Sequence, residues 1–214
     1  MEKILVTGSS GFIGMHLCKR LLDDGYVVYG IDNMNEYYDV SLKEARLNIL
    51  SRYSNFTFNK IDIANLDEVE KVFKIFEPKK VVNLAAMAGV RYSLKNPHAY
   101  IESNIVGFTN IIETCRHYEV DGLIYASSSS VYGENRRTLF SEDDRVDKPM
   151  SIYAASKKTN ELIAYTYHHL YGLNVTGLRF FTVYGPWGRP DMAMYIFVNK
   201  IICGEKIPVY NNGK

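Results

Sequence analysis

Short runs of apolar, β-branched residues alternate with longer amphipathic stretches along the whole chain. Such alternation is the pattern of a parallel sheet covered by helices on both faces. Strands are predicted at residues 3–7, 27–31, 55–60, 81–84, 122–126 and 174–179, enough for a doubly wound α/β sheet. The stretches between them predict helices at residues 12–24, 41–52, 66–76, 97–118 and 153–171. Several helix ends carry a local signal. Ser41 and Glu44 have capping-box spacing. Pro97 suits a first helical position, where its missing N–H would find no partner anyway. Gly25 and Gly172 follow helix ends, where a left-handed residue is wanted. No linker, low-complexity tract or repeat interrupts the pattern, so residues 1–181 read as one domain. Beyond them, residues 192–203 predict a further helix and residues 207–210 a short strand.

Composition narrows the partners. The 214 residues hold 25 Lys+Arg against 24 Asp+Glu, a net charge of +1 with no basic run, so no nucleic-acid partner is expected. Cys18, Cys115 and Cys203 are widely spaced and form no C-x-x-C pattern, so neither a disulfide framework nor a metal site is expected. The run Ile4-Leu5-Val6 is too short for a signal-peptide core, and no stretch of about 18 apolar residues offers a membrane span. A cytoplasmic setting is the expectation.

Candidate chemistry begins straight after the first strand, at Gly8-Ser9-Ser10-Gly11-Phe12-Ile13-Gly14. Gly8 allows a tight turn, Gly11 lets the backbone approach a pyrophosphate, and Gly14 lets the helix pack closely while its first N–H groups face the anion. The next strand leads to Asp32, 18 residues after Gly14, where a carboxylate can accept a hydrogen bond from a ribose 2′-hydroxyl. A carboxylate there would repel a 2′-phosphate, which favours NAD over NADP. A plain glycine turn beside a surface aspartate is the alternative.

A tyrosine precedes a lysine by four residues twice, at Tyr153/Lys157 and Tyr210/Lys214. The second pair lies in a turn-like Tyr-Asn-Asn-Gly-Lys and is set aside. The first opens an alanine-rich helix, where such residues are stacked neighbours. An ammonium close to a phenol would favour the phenolate and lower a pKa that is ordinarily near 10. A surface tyrosine beside a solvated lysine would carry the same spacing. Upstream, Ser127-Ser128-Ser129-Ser130 follows a strand at the carboxyl edge of the sheet, where doubly wound proteins bind ligands. One hydroxyl there could share a substrate hydroxyl with Tyr153, while at least two would bond their own backbone.

Thr7-Gly8-Ser9-Ser10-Gly11-Phe12-Ile13-Gly14, Asn83-Leu84-Ala85-Ala86, Ser127-Ser128-Ser129-Ser130-Val131-Tyr132-Gly133 and Tyr153-Ala154-Ala155-Ser156-Lys157 occur in that order. As a set, and over essentially the whole chain, they resemble the extended short-chain dehydrogenase/reductase family. Asp39-Val40-Ser41-Leu42-Lys43, Ala88-Gly89-Val90-Arg91-Tyr92-Ser93 and the segment from Arg179 to Met192 further resemble its UDP-glucuronate 4-epimerase branch, which interconverts UDP-glucuronate and UDP-galacturonate.

The resemblance implies a Rossmann-type fold, NAD as cofactor and a UDP-sugar as substrate. It places Gly8, Gly11 and Gly14 on the pyrophosphate, with Phe12 and Ile13 in the same cofactor site. Asp32 and Asn33 fall on the adenosine ribose, and Asp62 and Ile63 on the adenine. Leu84, Ala85 and Ala86 would line the cofactor cleft, Phe180 would pack near the nicotinamide, and Lys157 would hold the nicotinamide ribose. Tyr153, Lys157 and Ser128 become the catalytic residues, with Tyr153 as phenolate taking the proton of the sugar 4-hydroxyl. Ser129, Arg91, Thr182 and Arg189 fall on the substrate side. With glucuronate the 4-keto intermediate is a β-keto acid prone to lose carbon dioxide, so its carboxylate needs a holder. Arg189, with its planar fork, is the first candidate and Arg91 the second. Dehydratase relatives carry an acid in the serine segment, and this chain has only hydroxyls there, which disfavours dehydration. By the same resemblance residues 182–214 begin a smaller substrate lobe, most of which the chain lacks. Helices at 97–118 and 153–171 imply a homodimer. Two further readings stay open: a 4-epimerase of a neutral UDP-hexose or UDP-N-acetylhexosamine with Arg189 structural, and an NAD-binding module without turnover.

Overall fold

The computed structural model describes residues 1–135 and 139–209. Six strands, β1 (Lys3–Thr7), β2 (Val27–Asp32), β3 (Phe56–Lys60), β4 (Lys80–Asn83), β5 (Gly122–Ala126) and β6 (Val175–Leu178), form one sheet in the order β3-β2-β1-β4-β5-β6. Every neighbouring pair is parallel. This is the doubly wound Rossmann order, and it opens a crevice beyond the carboxyl ends of β1 and β4, where the winding changes direction. The register sets Leu5 beside both Tyr29 and Val81. Because strand side chains alternate between faces, neighbouring residues of β1 feed different cores.

One layer contains α1 (Phe12–Asp23) and α2 (Val40–Leu50). There Ile4, Val6, Val28 and Val82 pack with Met15, Cys18, Leu22 and Leu50. The opposite layer contains α3 (Leu66–Phe76), α5 (Pro97–Tyr100), α6 (Gly107–His117) and α7 (Ile152–Tyr171). Its core joins Leu5, Tyr29, Ile31, Val81 and Leu123 to Phe73, Phe108, Ile111 and Cys115. Burying each such large aliphatic or aromatic side chain stabilises the fold by about 1.5–3 kcal/mol before conformational entropy is set against it. Cys18 and Cys115 are thus buried on opposite sides of the sheet, and Cys203 is exposed.

The strands and long helices lie within a residue or two of the sequence expectation, and the local details differ for physical reasons. Helix α2 starts at Val40 because the Asp39 carboxylate, not a Ser41 box, accepts the amide N–H of Ser41 at 2.9 Å. Pro97 does sit in a first turn, capped by Asn96. The expected helix 97–118 is continuous but widens into a π-helical segment, Ile101–Val106. That segment buries Asn104, whose amide donates to Met87 O and Ser156 Oγ while its oxygen accepts the N–H of Met87. π-Bulges inside α-helices are frequent at functional sites. Two short pieces carry no periodicity and escape sequence reading: α4 (Val90–Ser93) and a 3₁₀ turn, Ser129–Tyr132.

Past β6 the chain leaves the core. Helix α8 (Ala193–Ile202) buries none of its residues. Residues 207–209 form no strand, since among the described residues no neighbouring strand takes their hydrogen bonds. Tyr210 and Lys214 lie outside the described residues. Among the described residues no helix is long and apolar enough to cross a membrane.

Candidate active site

The glycine-rich turn joins β1 to α1 at the crevice. Gly8 takes φ +70° and donates its N–H to Ile31 O at 2.7 Å, fastening the turn to β2. A Cβ on Gly8 would stand 2.7 Å from Ala85 N, and one on Gly14 only 2.1 Å from Gly8 O. The close approach that requires Gly14 is therefore to the turn itself. Gly11, at the N-cap of α1, has no side chain to cap the helix. The first N–H groups of a helix lack internal partners, so here they remain available to an anion, as a pyrophosphate requires.

Asp32 ends β2, buried beside this turn. Its two oxygens accept the N–H groups of Ser10 at 3.2 Å and Met34 at 2.9 Å. Burial pushes its pKa above the usual carboxylate value, and the nearby Lys43 and Arg46 charges oppose that push. Asn33 donates to Asp62 at 2.9 Å, which brings the tips of β2 and β3 together on the same wall. These residues fit a dinucleotide: an uncapped helix start, a close-packed glycine turn and a carboxylate already oriented at the end of β2.

Across the crevice, Ser151 caps α7 by accepting the N–H of Ala154 at 3.1 Å, and Tyr153 follows in the first turn. Lys157, fully buried one turn later, donates to Ala126 O at 2.8 Å. Helical spacing stacks the two residues as expected, but the ammonium is directed to the end of β5. The expected lowering of the phenol by Lys157 is not what the geometry gives. Burial holds the Tyr153 phenol above its ordinary value, while a hydrogen bond with Ser128 and the charge of Arg189 pull it back down. Burial also lowers the Lys157 ammonium to about 8.

The four serines divide. Ser127 donates to Glu161 at 2.7 Å, and Glu161 in turn receives Arg179. Ser129 donates its backbone N–H to Phe180 O at 2.9 Å, and Ser128 caps the 3₁₀ turn by accepting the N–H of Ser130. The Ser128 hydroxyl pairs with that of Ser130 at 2.5 Å, and of the four serines it is the one that draws the Tyr153 phenol down.

Arg189 arrives from the loop after β6, and its fork is already engaged. Nε and Nη2 donate to the two oxygens of Asp191 at 3.0 and 2.6 Å, and Nη2 also reaches Ala88 O at 3.4 Å. The Tyr37 hydroxyl donates to the same Asp191 at 3.1 Å, and the Arg189 guanidinium lies over the Tyr37 ring. This clasp crosses from the loop after β2 to the loop after β6.

All the candidate residues from the sequence, including Ile63, Leu84, Ala86, Arg91, Phe180 and Thr182, line one cavity of about 800 Å³. Its wall also includes Asn35, Tyr37, Tyr38, Lys43, Tyr92 and Asp191, which sequence reading did not select. For Asp191 a signal existed, a carboxylate two residues after the arginine proposed to need one. The tyrosines offered none, being among 17 in the chain.

Residues 4–214 match the model of the NAD dependent epimerase/dehydratase family. Protein CapI of Staphylococcus aureus is 59% identical over 211 residues, covering 99% of this chain and 63% of CapI. A probable UDP-glucuronate 4-epimerase of Rhizobium meliloti is 47% identical over 212 residues, covering 99% of this chain and 62% of that protein. The chain thus spans less than two thirds of the length of these relatives. UDP-glucuronic acid 4-epimerase from Bacillus cereus, solved in complex with UDP-glucuronic acid and NAD, superposes with a TM-score of 0.90 at 38% identity, covering 96% of this chain and 64% of that one.

Proposed function

Because this chain belongs to the NAD dependent epimerase/dehydratase family, we propose that it carries the catalytic domain of a UDP-sugar 4-epimerase with NAD as its resident cofactor, interconverting UDP-glucuronate and UDP-galacturonate. The observation that carries this reading is the meeting in one cleft of the uncapped glycine turn, Asp32, Ser128 and the phenol of Tyr153. Similarity to proteins named as UDP-glucuronate 4-epimerases supports the choice of sugar.

The glycine turn and the start of α1 hold the pyrophosphate, Asp32 and Asn33 the adenosine ribose, Asp62 and Ile63 the adenine, and Lys157 the other ribose. NAD, when bound, would supply a hydride acceptor and donor for the sugar C4. Tyr153, once deprotonated, takes the proton of the 4-hydroxyl and later gives it back, and Ser128 hydrogen-bonds the same oxygen. Burial raises the phenol pKa, so the Ser128 hydrogen bond and the Arg189 charge are what the chain itself contributes toward the basic form. Asp32 selects NAD, because an added 2′-phosphate would meet a buried carboxylate. The segment Ser127-Ser128-Ser129-Ser130 offers no acid to expel a leaving group, which favours epimerisation over dehydration. Residues 1–181 form the NAD domain and residues 182–214 begin the substrate lobe, in keeping with the unburied α8. Two copies pair through the faces of α6 and α7.

A second reading is favoured by the Arg189–Asp191 pair. If that pair persists with substrate bound, no free fork awaits a sugar carboxylate, and a neutral UDP-hexose or UDP-N-acetylhexosamine becomes the better partner. Incubation of the chain, alone and extended to the length of its relatives, with NAD and each UDP-sugar decides between them once the C4 epimers are separated. The expected result is conversion of UDP-glucuronate in the longer form. Conversion of neutral sugars alone would establish the second reading, and NADP outcompeting NAD would overturn the role of Asp32.

A further inference from the structure

Arg46, on α2, is completely buried, and among the described residues no carboxylate lies within ion-pairing distance of it. Its Nη1 donates to Ser10 O at 3.2 Å, inside the glycine-rich turn, and to the Tyr38 hydroxyl at 2.7 Å. Its Nη2 donates to Trp187 O at 2.6 Å and Gly188 O at 3.4 Å, immediately before Arg189. One guanidinium therefore spans two loops that are 141 residues or more from it on one side and 36 on the other. A buried charge is costly unless its donors are satisfied; carbonyls from both loops and the Tyr38 hydroxyl take the two Nη groups, while Nε is buried without a hydrogen-bond partner and Asp32 acts on the charge only from beyond ion-pairing distance. Trp187 itself sits at φ +65°, a left-handed backbone that costs a side-chain-bearing residue about 1–2 kcal/mol and persists only where its surroundings enforce it.

We propose that Arg46 is a positioning residue that couples the glycine-rich turn to the loop carrying Arg189, by holding the left-handed peptide of Trp187 against the same guanidinium that grips Ser10. In this coupling the strained Trp187 backbone is the element that yields when the Arg46 contact is lost. An anion settling on the turn fixes the Ser10 carbonyl, which fixes Arg46, which keeps Trp187 and therefore Arg189 in place. Lysine cannot substitute, because a single ammonium lacks the fork that reaches both loops. The proposal rests on the reading of the glycine turn as a dinucleotide site.

Trp187 is the chain's single tryptophan, so its emission reports this loop alone. The test is titration with ADP-ribose, which lacks nicotinamide absorbance, following binding by calorimetry and Trp187 emission in parallel. In the unsubstituted chain the emission maximum and anisotropy should change in step with binding. Arg46→Lys should keep ADP-ribose affinity within about threefold, below the roughly fivefold at which coupling between sites typically begins, while the emission response disappears. Should Arg46→Lys fail to fold, Arg46→Gln, which removes the charge and is too short to reach both loops, should diminish the response in the same way. An undiminished response in the variant that folds, or binding without any response in the unsubstituted chain, overturns the coupling. Absence of ADP-ribose binding altogether would instead overturn the dinucleotide reading, and the coupling with it.

Discussion

One wall of the cleft presents mainly backbone groups, joined by the Asp32 carboxylate, and the other presents side chains. On the glycine side, Gly8, Gly11 and Gly14 contribute no side chain, and the functional groups are amides fixed by the β1–α1 geometry. On the far side, Tyr37, Tyr153, Arg189 and Asp191 come from loops and a helix start separated by as many as 154 residues. Backbone groups are held by the fold itself and tolerate almost no added atoms. Side-chain clasps depend on a few hydrogen bonds and can be exchanged for a ligand. The first wall suits a cofactor that stays, and the second a substrate that comes and goes.

That contrast can be broken by substitution. The largest effect is expected from Tyr153→Phe in the longer form, which should cut epimerisation about 10²–10⁴-fold while leaving dinucleotide affinity alone. Retained turnover would remove Tyr153 from its role. Gly14→Ala should do the reverse. Forcing a methyl to 2.1 Å from Gly8 O should cost about 3 kcal/mol in urea unfolding and weaken dinucleotide binding. A Gly14→Ala chain of unchanged midpoint and affinity would show that the glycine wall gives more easily than its geometry suggests.

Smaller effects sharpen the second wall. Arg189→Ala should reduce turnover of acidic UDP-sugars about tenfold more than that of neutral ones, the scale of one charged hydrogen bond. Asp191→Asn, by weakening the internal competitor for the same fork, should shift the preference toward acidic sugars. Equal losses on both substrate types would leave Arg189 a purely structural residue. A separate effect, on stability rather than turnover, concerns Lys157. Its folded-state value of about 8 lies below its ordinary 10.5, so between these values the unfolded chain binds more protons than the folded one. Its contribution to stability should therefore rise with pH across that window. Comparing urea midpoints of the chain and Lys157→Met from pH 7.5 to 10 tests this, and parallel pH profiles would contradict the lowered value.

The same contrast explains what could be read from sequence. Strands buried on both faces must be apolar runs, and a turn this tight must be glycine, so β1, its glycines and Asp32 carry local signals. Helix α4 is four residues long and has no period to detect. The π-segment around Asn104 is encoded by a contact with Met87 rather than by composition. Arg189 was legible as a fork but not as a fork already filled, because its partner Asp191 sits on an exposed loop without periodicity. Arg46 carries no local signal, being one of 25 Lys and Arg in the chain. The direction of Lys157 is set by the Ala126 carbonyl, which only the assembled sheet puts within reach.

The two buried cysteines give the layered fold a chemical clock. Cys18 and Cys115 belong to different layers, and burial pushes both thiols well above their ordinary pKa, so neither reacts until its own layer opens. After Cys203 is blocked, a pulse of thiol reagent during unfolding modifies each cysteine at the moment its side of the sheet separates. Equal modification rates mean that both layers come apart in one event. Unequal rates identify which side of the sheet opens first, and they do so without any substitution in the chain.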